Sequence, residues 1–129
     1  MESLLEIVLS PDAPQPIGPY SQAVRSHDFL FCSGQIALDP KSGEMIQRTI
    51  EEETKQVMKN LSAVLATFGA TFANVVKTTI FLTNLADFAE VNRVYEIGLG
   101  TSRPARSTVQ VAALPKGARV EIECIASLV

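Results

Sequence analysis

Arg106 stands in an alternating run, Ala105–Val111, flanked by Ala105 and Ser107. A guanidinium in a strand is costly to bury without a partner. Three readings account for it. One is a structural ion pair with Glu121 or Glu123, and a second is simple exposure at a sheet edge. The third is a planar fork that holds a small carboxylate through two parallel hydrogen bonds. Glu121 and Glu123 alternate with Val120, Ile122 and Cys124, so both point to one face of the last strand. They form either a solvated polar face or, for one of them, a carboxylate that orients a water or moves a proton. The register across residues 112–118 is open, so parity does not say whether Arg106 and Glu121 share a face.

Weaker candidates surround these. Tyr20 closes a proline-rich loop and reads as loop packing or as a phenol in a pocket wall. Ser33–Gly34 follows an apolar strand. The glycine is a turn residue, or it lets backbone groups approach a ligand closely. Asn92, on a helical stretch, reads as exposed and roughly opposite the Phe88 stripe. His27 is the one histidine, beside Asp28 in a turn-like stretch. That leaves no zinc-ligand spacing and no evident Ser–His–Asp arrangement. Cys32 and Cys124 lie in apolar strand-like runs and read as two reduced, buried thiols.

The elements that must position these residues are legible. The 129 residues suit one domain with its own core, at 47% hydrophobic and 19% charged. The net charge of −3 lacks the basic footprint of a nucleic-acid binder. No stretch has the length of a membrane span. The N-terminus starts acidic and its apolar run is broken by Glu6, so it does not read as a signal peptide, and the expected location is the cytoplasm. Residues 3–9 read as a strand. Residues 11–20, with four prolines and a glycine, read as a stiff loop. Strands are expected at 23–25 and 28–33, around a turn at Ser26–His27.

Thr49 and Glu52 form a capping box for a first helix, with Glu51, Glu52 and Glu53 in its first turn. Val57, Leu61, Val64, Leu65 and Phe68 make its apolar stripe, and Gly69 its stop. Residues 74–82 are β-branched and strand-like. Asp87 and Glu90 cap a second helix, with Phe88, Val91, Val94 and Tyr95 on its apolar face, broken by residues 98–104. Strands at 105–111 and 119–125 complete β-β-β-α-β-α-β-β, an α+β order. Two helices cover one face of such a sheet. Apolar residues on both strand faces, Phe29 and Phe31 against Leu30 and Cys32, call for a second copy of the chain over the other.

Four segments together resemble the RidA (YjgF) family: IGPYSQA (17–23), CSGQIALDPKSGE (32–44), VVKTTIFLTNLADFAEVNRVYE (75–96) and RPARSTVQVAALPKGARVEIECIA (103–126). The resemblance covers nearly the whole chain. It implies a chorismate-mutase-like fold in a homotrimer with sites between subunits. It also implies 2-iminobutanoate/2-iminopropanoate deaminase activity. Such enzymes hydrolyse reactive enamine and imine acids, such as 2-aminoacrylate, to 2-oxo acids and ammonia. Pyridoxal-phosphate enzymes supply those substrates. No cofactor, metal, nucleic acid or membrane is implied. The family's carboxylate-binding arginine falls on Arg106 and its water-positioning acid on Glu121. Its pocket positions fall on Tyr20, Gly34 and Asn92, with Ser33 and Thr108 beside them. Many relatives carry cysteine where Thr108 stands, and aromatic residues where this chain has Ile97–Gly100. A sensor of 2-oxo acids, or the ribonuclease or translation-inhibitor activity attributed to some relatives, are the rival expectations.

Overall fold

The computed structural model describes residues 5–129. The eight elements appear in the expected order. They are β1 (Leu5–Val8), β2 (Ala23–Ser26), β3 (Phe29–Gln35), α1 (Ile50–Ala66), β4 (Val75–Leu82), α2 (Phe88–Leu99), β5 (Ala105–Gln110) and β6 (Val120–Ser127). Residues 3 and 4 of the expected first strand lie outside the described residues. One six-stranded sheet runs in the order β1-β2-β3-β6-β4-β5. All neighbours are antiparallel except β4 and β5, which α2 joins as a parallel crossover.

Thr49 caps α1 as expected, its hydroxyl accepting the Glu52 N–H at 3.1 Å. At the other end Gly69, with φ 68°, closes the chain back on the helix. The Ala70 N–H reaches the Leu65 carbonyl and the Gly69 N–H that of Ala66, the paired bonds of a Schellman turn. Val57, Leu61, Val64 and Leu65 are buried against Leu30, Ile80 and Ile122 of the sheet.

One expectation about α2 needs correction. Asp87 makes no side-chain cap. A short 3-10 turn, Leu85–Asp87, leads into the helix instead, and the Asn84 side chain caps it by accepting the Ala86 N–H at 2.9 Å. The helix ends at Leu99 with Gly100 as its C-cap, inside the 98–104 stretch expected to break it. A Cβ at Gly98 would stand 2.8 Å from Met58 Cε, so its small size serves the packing of α2 on α1.

The helices cover one face of the sheet. On the other, Ile7, Val24, Phe31 and Ile125 line up across four neighbouring strands. Ile7 is 75% exposed, Phe31 46% and Phe29 44%. Apolar side chains in register across a sheet are what a covering layer would bury.

Candidate functional site

The register answers the question that parity left open. Thr78 on β4 pairs with Arg106 on one side and with Cys124 on the other. Phe81 pairs with Val109 and with Glu121. Positions 78 and 81 differ by an odd number, so Arg106 belongs to the helix-covered face and Glu121 to the open face. An ion pair between Arg106 and Glu121 or Glu123 within one chain is therefore ruled out by the sheet itself. The candidate residues fall into two clusters on opposite sides.

The first cluster is built by β5 and α2. Arg106 Nη1 donates to Asn92 Oδ1 at 2.6 Å. Its Cζ lies 5.4 Å from the ring centroids of both Phe88 and Tyr95, within cation–π range. The reading of Asn92 as opposite the Phe88 stripe is thus incorrect. Positions 88, 92 and 95 are spaced i, i+4, i+7 and share one helix face, which here meets the edge of the sheet. Tyr95 is buried, its hydroxyl 2.6 Å from Thr78 Oγ1, and burial is the main reason its phenol stays protonated to higher pH than usual. Among the described residues no carboxylate pairs with Arg106. Thr108 follows two positions along the same strand, on the same face. Its Oγ1 is buried without a hydrogen-bond partner, a cost that an intact fold normally avoids. Leu85, Phe88, Arg106 and Thr108 together line one depression.

The second cluster lies on the open face, where β3 meets β6. A bulge at β3 sets Ser33 and Gly34 together between the pairs Cys32–Cys124 and Gln35–Ile122. Gly34 is where the Glu121 side chain rests. A Cβ there would stand 2.7 Å from Glu121 Oε2. Burial pushes the Glu121 carboxyl above the ordinary glutamate range, and the charge of Glu123 adds to the shift. Tyr20, Gly34, Gln35, Lys116 and Glu121 line a cavity of about 230 Å³.

The proline-rich loop is fastened to this cluster. Gln22 is buried and donates to the carbonyls of Pro14 at 2.9 Å and Ser10 at 3.1 Å. Ser33 Oγ donates to the Ser21 carbonyl at 2.6 Å, and its N–H donates to the Gln22 carbonyl at 2.9 Å. The donors of Ser33 are therefore spent on holding the loop beneath Tyr20.

Three polar residues complete this framework: Gln22 and Asn60, which no motif marks, and Glu53, which the sequence marks only as a first-turn acid of α1. For the last two the signal was present. Positions 53, 57, 60, 61 and 64 belong to one helical stripe, so a polar residue there must be buried and partnered. His27 takes a left-handed conformation in the β2–β3 turn and lines neither cluster.

A six-stranded mixed sheet with two helices on one face defines the class: an α+β protein. The model of the endoribonuclease L-PSP family matches residues 10–128, and the chain belongs to that family, which includes the RidA and YjgF proteins. A mouse protein named 2-iminobutanoate/2-iminopropanoate deaminase is 49% identical over 127 residues, covering 98% of this chain and 94% of its own. The crystal structure of an endoribonuclease L-PSP homologue from Entamoeba histolytica is 49% identical, with a TM-score of 0.93 over 96% of this chain and 99% of that one. TdcF of E. coli, solved with bound serine, is 37% identical, with a TM-score of 0.89 over 95% and 98%.

Proposed function

We propose that the protein hydrolyses reactive 2-imino and enamine acids, such as 2-iminobutanoate and 2-aminoacrylate, to the 2-oxo acids and ammonia. The observation that carries this reading is the Arg106 cluster. A guanidinium is held by a neutral amide and two aromatic faces with no carboxylate partner among the described residues, beside the orphaned Thr108 hydroxyl. Such an arrangement leaves donors free for the carboxylate of a small acid. The name of the mouse relative and the serine bound to TdcF support the same substrate class.

In this reading Arg106 grips the substrate carboxylate and so fixes the imine carbon, with Asn92 orienting the guanidinium. Thr108 walls the depression beside the guanidinium. An enamine acid first takes a proton at its terminal carbon to become the imine. Glu121, ionised, aligns a water and accepts its proton as the oxygen bonds to the imine carbon, while the C=N π pair moves to the nitrogen, which takes a proton from solvent. The carbinolamine then collapses: Glu121 returns its proton to the nitrogen, the C–N bond breaks, and the hydroxyl loses its proton to water as the C=O bond forms and ammonia leaves. Tyr20 and the Gly34 backbone wall the cleft. No thiolate takes part.

Arg106 and Glu121 sit on opposite faces of their own sheet, so the working site combines the Arg106 cluster of one copy with the Glu121 cluster of another. The open apolar face gives a second copy a surface to bury, and a homotrimer with three such clefts is the assembly proposed. Enzymes that eliminate water from serine or threonine with pyridoxal phosphate are the proposed source of substrate. Two measurements test the proposal. A coupled assay that generates 2-iminobutanoate from an amino-acid oxidase should show faster ammonia release with the protein present. Sedimentation should show a trimer at micromolar concentration. An unaccelerated imine decay would refute the activity, and a stable monomer the shared site.

A further inference from the structure

Glu121 can serve the role above only if its carboxyl stays where the Gly34 backbone leaves room for it. The fit is close, since a Cβ at Gly34 would stand 2.7 Å from Glu121 Oε2. The contact joins β3 to β6, and both strands are gripped from behind by α1.

Glu53 is fully buried. Its Oε2 accepts the Arg119 backbone N–H at 2.7 Å and its Oε1 accepts the Arg119 Nε–H, also at 2.7 Å. Arg119 Nη2 donates on to the Gln47 carbonyl at 2.8 Å, and the Arg119 carbonyl accepts the Thr83 N–H at 3.1 Å. The residue two positions before Glu121 is thus held by backbone and side chain together. Two helical turns further along α1, Asn60 is also fully buried. Its Nδ2 donates to the carbonyls of Ile36 at 3.0 Å and Leu38 at 2.9 Å, and its Oδ1 accepts from Gln56 at 2.9 Å. Asn60 therefore holds the segment leaving Gly34.

A fully buried carboxylate is a poor way to gain stability, because desolvation offsets most of the attraction. Its return is geometric. Two hydrogen bonds at fixed angles set the entry of β6 in a way that apolar contact does not. We propose that Glu53, acting through Arg119, is a positioning residue for Glu121, with Asn60 setting the opposing Gly34 side of the same contact. This rests on the role given to Glu121 above.

The test is the Glu53→Gln protein, with Arg119→Lys as a second variant. Glutamine keeps the shape but leaves one acceptor oxygen for two donors. Arg119 is 35% exposed, so water can take up its freed guanidinium and the fold survives. Glu51→Gln serves as the control, a surface glutamate of the same helix paired with Lys55 and Arg93. The first readout is the titration of Glu121 itself, followed by carbon NMR of the side-chain carboxyl. Tyr20, Lys116 and Glu123 are the titratable groups around it, and none of the variants removes them.

Glu53→Gln and Arg119→Lys should each displace the Glu121 titration, and Glu51→Gln should not. The second readout is kcat for 2-iminobutanoate. It should fall by about tenfold or more with KM changed little, the mark of a misplaced group rather than lost binding. A Glu121 titration unmoved in both variants would overturn the proposal whatever the activities are. A displaced titration with unchanged kcat would leave the positioning standing and instead count against Glu121 as the group that activates water.

Discussion

Arg106 and Glu121 project from opposite faces of one sheet, because Thr78 and Phe81, their partners on β4, differ by an odd number of positions. If the two residues share a reaction, they do so between chains. Arg106→Ala and Glu121→Ala proteins, each inactive alone, should then complement when unfolded and refolded together. A random mixture in a closed ring should regain about a quarter of the wild-type rate, since each site needs one intact arginine and one intact glutamate from neighbours. Activity no higher than that of either parent would place both residues' work in a single chain.

Arg106→Ala should cost at least about a hundredfold in kcat/KM, the scale of a charge-assisted bidentate contact. Arg106→Lys should recover little, because an ammonium has no fork to match a carboxylate. The oligomer should persist in both, as the side chain lies on the helix face at the sheet edge. Steady-state kinetics with sedimentation check this.

Gly34→Ala should displace the Glu121 carboxyl, whose Oε2 and Cδ would lie 2.7 Å and 2.8 Å from the new Cβ. The far end of a side chain can swing away, so the melting temperature should change little. The rate should fall about tenfold or more as the carboxyl leaves its place. A large loss of stability with full activity in the folded fraction would contradict the placement.

The pH profile should carry the mark of Glu121. Its carboxyl is raised first by burial and then by Glu123. A base must be ionised, so kcat should drop as pH falls through a value above the ordinary glutamate range. Glu123→Gln removes the repulsion and should shift that limb to lower pH. Stability runs the opposite way. A raised native pKa means that the folded state holds the proton more tightly than the unfolded one. The favourable contribution is present at low pH and is lost as pH rises through the native pKa. Glu121→Gln should therefore melt higher than wild type at neutral pH, with the gain vanishing in acid.

Thiol reagents should leave the native protein untouched. Cys32 and Cys124 are buried and face one another across β3 and β6. The neighbouring Cys32 thiol and burial both push the Cys124 thiol far up, which suppresses the thiolate. With threonine at position 108, no cysteine lies beside Arg106. Iodoacetamide should spare activity, and both thiols should react only after denaturation. Inactivation of the native enzyme at one thiol would overturn this.

Element order, the α1 cap, its stripe and its Gly69 stop follow from local rules, in which a residue's neighbours lie within one or two turns of chain. The same locality explains what was misread. Asp87 reads as a cap from its spacing to Glu90, yet Asn84 starts a 3-10 turn upstream and takes that role. Gly98 belongs to the stretch that ends α2, yet what its missing side chain makes room for is Met58, forty residues away on α1. Glu53 reads as one of three first-turn acids, yet its partner Arg119 comes 66 positions later.

The α+β order, the strand alternation that sets Glu121 apart from Ile122, and the segments that mark the family are all legible along the chain. Each is a property of spacing. The folded sheet alone puts Arg106 on a face with Thr108 and not with Glu121. Only the folded chain brought Asn92 onto the guanidinium and set the Glu121 carboxyl against Gly34. Those facts depend on register between strands distant in sequence, and a shift of one residue would exchange the two faces. That register is held by packing and by buried polar contacts such as Glu53–Arg119 and Asn60–Ile36, whose partners no local pattern names.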